Sequence, residues 1–164
     1  MIKKSNKLIF LDDVQYNRRS WQNRVHIRAS HNLNEKKYLS LSVKDNSRSK
    51  QINQIFLIIQ EICKLLKIDF NFEKSSNFNL SSYKKEHLIL KILKIQNADI
   101  YLSNLGSKEY VHESFYEKED IKVEYNEFIH PVYSQQNQKN FISNLSIVDL
   151  LFNYADPYKV FNVS

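Results

Sequence analysis

The sequence predicts an α/β fold: a sheet of roughly five strands, largely parallel, with helices packed against it. Three observations lead there. Short apolar runs have a period of two, longer runs place apolar residues three and four apart, and the two kinds alternate along the chain. No internal repeat or low-complexity tract breaks that order. At 164 residues the chain suits a single domain, 1–164, able to bury roughly 70% of the surface its unfolded form exposes.

The elements follow in order. Leu8 to Leu11 form an apolar run closed by Asp12 and Asp13, which disfavour strand continuation, and predict a buried strand. In "YLSLSVKD" the residues Tyr38, Leu39, Leu41 and Val43 are interleaved with serines, the pattern of a strand with one packed face. From Ile52 onward, Ile55, Phe56, Ile59, Ile62, Cys63 and Leu66 recur on one helical face, with Gln60, Glu61 and Lys64 outward. "IDFNFEKSS" alternates Ile68, Phe70 and Phe72 as a strand, with Ser75 to Asn79 as its loop. A second helix near Tyr83 to Gln96 carries Leu88, Ile92 and Ile95 on one face. Ile100 and Leu102 mark a strand that ends in a turn at Gly106, where glycine is expected to supply a conformation other residues resist. Ile121, Val123 and Tyr125 alternate in a further strand extending toward Phe128. The last helix opens at "NLSIVDLLFNYA", where Ser146 and Asp149 have capping-box spacing and Leu145 and Leu150 could staple its start.

Composition narrows the classes further. The apolar share is 42% and the charged share 26%, ordinary for a folded protein and unlike a disordered one. With one glycine and two prolines, left-handed turns fall to the asparagines. The net charge of +6 suits a phosphate-bearing partner without selecting nucleic acid, nucleotide sugar or membrane surface. Cys63 is alone, so no intrachain disulfide forms, and a core position fits it better than a nucleophilic one. No membrane span or signal peptide is legible, because the apolar segment after the basic start is short and ends in two carboxylates. These features predict a cytoplasmic location.

The stretch "FLDDVQYNRRSWQNRVHI" resembles the WbqC-like protein family, in which an acidic pair, a glutamine with an aromatic residue, a basic pair, a tryptophan and an asparagine–arginine pair occur in series. "ADIYLSNLGSKEYV", "IKVEYNEFIHPVYSQ" and "FISNLSIVDLLFN" resemble later family segments in the same order, and the blocks together cover about two thirds of the chain. Two departures suggest a shortened member. Met1 to Lys7 holds no glutamine–proline block, and the interval between "SLSVKD" and "FLIIQEICKLLKI" is short for the pattern. The resemblance implies a role around bacterial polysaccharide or O-antigen synthesis, with small-group transfer onto a nucleotide-linked or lipid-linked sugar. It carries over no catalytic residue set and no cofactor.

In an α/β sheet, ligands gather beyond the carboxyl ends of the strands, so "DDVQYNRR", "SSNFN", "SNLGSKEY" and "HPVYSQQ" are expected on one rim. Asp13 and His130 are the candidate proton-handling residues. The ligand-binding candidates are Asp12, Gln15, Tyr16, Arg18, Arg19, Trp21, Asn23 and Arg24, with Arg28 completing the basic cluster. Arginine forks suit phosphate or carboxylate, and Trp21 and Tyr16 can stack on a sugar or base. Each has a plainer reading: Asp12 and Asp13 as strand or helix caps, the arginines in surface ion pairs, Trp21 in the core, and His130 hydrogen-bonded before a turn. Ser103, Asn104, Gly106 and Ser107 could form an anion nest and read first as a turn. No carboxylate or histidine cluster has metal-ligand spacing. The expected partner is a phosphorylated sugar or nucleotide-linked small molecule. The alternatives are a noncatalytic polyanion-binding module, for which nucleic acid is the partner, and a decayed paralogue acting as a scaffold.

Overall fold

The computed structural model describes residues 1–14, 24–29, 35–40, 48–135 and 140–161. Their contacts divide the chain into two units, Met1–Val14 with Ile68–Phe128 and Gln15–Lys67 with Ile129–Ser164. Among the described residues the strands form three two-stranded pairs, so mixed α/β content is present without the expected five-stranded sheet.

In the first unit, β1 (Leu8–Phe10) pairs in parallel with β4 (Phe72–Lys74), and β5 (Ile100–Asn104) pairs in parallel with β6 (Lys122–Asn126). The first pair is short because Ile68 and Phe70 stay outside the strand despite their alternation. Helix α2 (Lys85–Ile95) serves both pairs. Its Leu88 and Ile92 pack with Leu80, Ile9, Val14 and Phe78, whereas Leu90 joins Tyr116 and Ile121 under Tyr101 and Val123. The leucines and isoleucines of "LILKIL" thus fill two clusters. Ile95, expected on the buried face, is 40% exposed at the last turn of the helix. Helix α3 (Glu113–Glu117) carries Tyr116 into the second cluster.

The second unit holds β2 (Arg24–Arg28), β3 (Lys36–Ser40), helix α1 (Arg48–Leu65) and helix α4 (Ile147–Asn153). β2 and β3 run antiparallel, since residues 29–35 are too few for the crossover that a parallel pair requires. Tyr38 and Leu39 are both exposed, so β3 lacks the packed face its alternation suggested, and Leu41 and Val43 lie outside the described residues. Helix α1 buries Phe56 and Cys63 and is followed by buried Leu66, as its spacing predicts. Ser146 caps α4, its Oγ accepting from the Val148 N–H at 3.2 Å. Leu145 and Leu150 are both buried.

Asn79, Asn97 and Asn144 adopt left-handed backbone, as expected in a chain short of glycine, and Lys67, Lys85 and Asp120 do so too. Gly106 does not: its φ is not positive, and a Cβ there would meet nothing within 4 Å. The turn from Leu105 to Ser107 is held instead by Ser107, whose Oγ donates to the Asn104 carbonyl at 2.6 Å and lies 2.6 Å from Ser103 Oγ.

Candidate anion-binding site

The pairing of β2 with β3 sorts the hallmark residues onto two faces. Arg24 stands opposite Ser40, His26 opposite Tyr38, and Arg28 opposite Lys36. Directly opposed residues, and those two apart, point the same way, so one face collects Arg24, His26, Arg28, Lys36 and Tyr38. The other carries Val25, Ile27, Lys37 and Leu39. On the polar face the Arg24 guanidinium lies over the Tyr38 ring, 4.6 Å from its centroid, and the His26 ring stacks on Tyr38 at 4.6 Å. A guanidinium held against an aromatic face is oriented without losing its charge. Cations and rings on one ribbon face can take an anion bearing a planar or sugar-like group.

Arg28 reaches the interior of the same unit. Its Nη2 donates to Gln135 Oε1, and Gln135 is 4% exposed. Gln135 Nε2 in turn faces Asp149 Oδ2 at 3.4 Å, and the same carboxylate oxygen accepts from the Tyr133 hydroxyl at 2.7 Å. Burial and this bond to Asp149 push the Tyr133 hydroxyl up to about 12, so it remains a donor across the ordinary pH range. The expected capping box is therefore only half formed. Asp149 turns inward to Tyr133 instead of back to the Ser146 N–H, which donates to the His26 carbonyl at 2.8 Å and ties the start of α4 to the edge of β2.

His130 belongs to this unit as well. Its Nδ1 lies 3.0 Å from the Pro131 carbonyl, and its ring is 6.0 Å from Tyr133 and 5.8 Å from Phe141. A carbonyl can only accept, so Nδ1 carries the hydrogen in this contact.

Asp12 and Asp13 lie in the first unit, just beyond β1, and meet the residues just beyond its parallel partner β4. Asp12 Oδ1 accepts from the Ser76 N–H at 3.0 Å and from Ser75 Oγ at 3.3 Å, and Oδ2 accepts from Ser76 Oγ at 2.8 Å. Asp13 accepts from the fully buried Ser75 hydroxyl. Burial raises the Asp12 pKa, but the Ser76 and Ser75 bonds outweigh it and leave the carboxyl below its ordinary value. "DDV" and "SSNFN" thus do share a strand-end rim, with Asp12 bonded as a cap of the Ser75–Phe78 turn, while Asp13 stays exposed.

Of the other ligand-binding candidates, Gln15, Tyr16, Arg18, Arg19, Trp21 and Asn23 lie outside the described residues. The sequence places Gln135 on the expected rim within "HPVYSQQ" without giving it a role, and leaves Asp149 out of the site. The signal for Gln135 was its spacing of two from Tyr133, which places both side chains inward on an extended segment. Among the described residues no group of three or more His, Cys, Asp or Glu is placed to hold a metal ion, and no helix is long and apolar enough to cross a membrane. Burial pushes the Cys63 thiol up, away from nucleophilic character.

A family model described as the WbqC-like protein family matches residues 1–58 and 55–158. The two pieces meet inside α1, near the interval that is short for the family pattern. No curated protein and no solved structure matches the chain.

Proposed function

The chain belongs to the WbqC-like protein family, and from that premise we propose that it acts in bacterial polysaccharide or O-antigen synthesis, in the cytoplasm, on a phosphorylated or nucleotide-linked sugar. One observation carries this reading: the register of β2 and β3 puts Arg24, Arg28 and Lys36 on the same face as the His26–Tyr38 stack. Arginine forks bind the phosphate oxygens by paired, charge-assisted bonds, and the stacked rings lie beside a sugar or base. Arg18, Arg19, Trp21 and Asn23 precede β2 in the chain and add residues of the same basic and aromatic chemistry.

The reaction proposed is transfer of a small group from an activated donor onto a hydroxyl or amine of the bound sugar. His130 takes the proton of the attacking hydroxyl or amine as the new bond forms, and the donor's carrier leaves with the electron pair of the bond that breaks.

A thermal-shift panel of uridine diphosphate-linked sugars against single-stranded oligonucleotides tests the reading. A saturable rise in melting temperature with the nucleotide sugars, retained at moderate salt, supports it. Stabilisation only by oligonucleotides, collapsing steeply as salt rises, would replace it with a polyanion-binding module.

A further inference from the structure

The structure assigns Gln135 a role beyond its neighbours: we propose that it is a positioning residue that aims the Arg28 guanidinium at the anion. This deepens the function proposed above and rests on it for the identity of the face.

Gln135 Oε1 accepts from the Ile142 N–H at 3.0 Å, and Nε2 donates to the Ile142 carbonyl at 2.9 Å. A backbone N–H can only donate and a carbonyl can only accept, so the amide cannot be flipped. Its remaining acceptor position receives Arg28 Nη2, and its remaining donor position faces Asp149 Oδ2. Every hydrogen-bonding site of the side chain is therefore committed, in a residue that is 4% exposed. Such a group has one orientation, and an arginine that donates to it inherits that orientation.

No simple replacement does the same. A glutamate would set carboxylate oxygens against the Ile142 carbonyl and Asp149, and an asparagine is one carbon too short to span Ile142 and Arg28 together. Asp149 acts a step further out by holding the amide nitrogen, and it is itself held by Tyr133. The arrangement links three separate stretches of sequence, "NRVHIR", "HPVYSQ" and "NLSIVDLLFN", to the placement of one guanidinium.

The experiment compares the full wild-type chain with Gln135→Met, Arg28→Lys and the double variant. Inorganic phosphate is titrated by calorimetry, and the Arg28 side-chain N–H signals are followed by NMR. Each single variant is expected to weaken phosphate binding about tenfold, the loss typical of removing one hydrogen bond to a charged group. The double variant should be no weaker than Arg28→Lys, because Gln135 acts only through that residue. In Gln135→Met the Arg28 N–H protons should exchange severalfold faster. Additive losses in the double variant, or unchanged Arg28 exchange, would overturn the assignment. Should Gln135→Met not fold, Arg28→Lys keeps the Ile142 bonds and decides alone, since unchanged phosphate affinity there overturns it. If wild type binds no phosphate, the proposed anion site falls, and Arg28 exchange then decides whether Gln135 positions the guanidinium.

Discussion

Tyr116 in the first unit and Tyr133 in the second are both buried tyrosines, 0% and 6% exposed, yet their hydroxyls live differently. Tyr133 donates to Asp149 at 2.7 Å, while the Tyr116 hydroxyl has no hydrogen-bond partner among the described residues. Around Tyr116 lie Leu90, Ile121, Val123 and Phe115; around Tyr133 lie Asp149, Gln135 and His130. Around Tyr116 the first unit packs an apolar cluster that uses the tyrosine for its ring. The second keeps a polar network at its centre, which is costly to bury unless every member is satisfied. The contrast separates a tyrosine held by apolar packing from one held in a chain of buried polar groups that ends at an arginine.

The largest effect expected is a difference of sign. Tyr133→Phe removes a bond to a buried carboxylate and should destabilise the protein by about 1.5–3 kcal/mol. Tyr116→Phe removes a hydroxyl that is desolvated without compensation and should leave stability unchanged or raise it by about 1 kcal/mol. Urea unfolding of both variants reads this directly; a comparable loss in both would erase the contrast between the two units.

The next effect separates the carboxylates of the first unit by pH. Asp12 is held below its ordinary pKa of 3.8 despite burial, by its bonds to Ser76 and Ser75. Glu86 is held below 4.5, chiefly by the His112 N–H. A carboxyl whose pKa is lower in the folded state stabilises the protein above its unfolded value and loses that contribution as pH falls through the folded value. Stability should therefore drop from about pH 4 downward, and Asp12→Asn should make that drop shallower. Unfolding midpoints at neutral and acid pH, measured for both chains, check it; an unchanged acid slope would mean Asp12 contributes nothing through Ser76.

The smallest effect is at Gly106. Since its φ is not positive and a Cβ there meets open space, Gly106→Ala should be neutral or stabilising by up to about 1 kcal/mol through the unfolded chain. A clear loss of stability would restore the special backbone role that the sequence suggested for it.

Elements governed by local periodicity were legible. The buried face of α1, the cap of α4 by Ser146 and the left-handed asparagines all follow from spacing and side-chain chemistry. What failed was decided at a distance. Asp149 has capping-box spacing, but the His26 carbonyl takes the Ser146 N–H and Tyr133 takes the carboxylate, and neither partner is near in sequence. Likewise Ile68 and Phe70 alternate as strand residues yet remain outside β4, because β1 begins only at Leu8, opposite Phe72. For the site, the arginines were visible as a cluster, but the sorting of Arg24 and Arg28 onto the face of Tyr38 requires the β2–β3 register. Gln135 was legible only as a rim residue near His130; its role comes from four hydrogen bonds to three residues, Arg28, Ile142 and Asp149.

The Arg24–Arg28 face of the second unit is proposed to bind a phosphorylated sugar. Calorimetric titration with a uridine diphosphate-linked sugar, of wild type, the Arg24→Ala/Arg28→Ala variant and Asp12→Asn, tests it most directly. Wild type should show one saturable site, the arginine variant near-complete loss and Asp12→Asn unchanged affinity. Binding that survives removal of both arginines, or that disappears with Asp12, would contradict it.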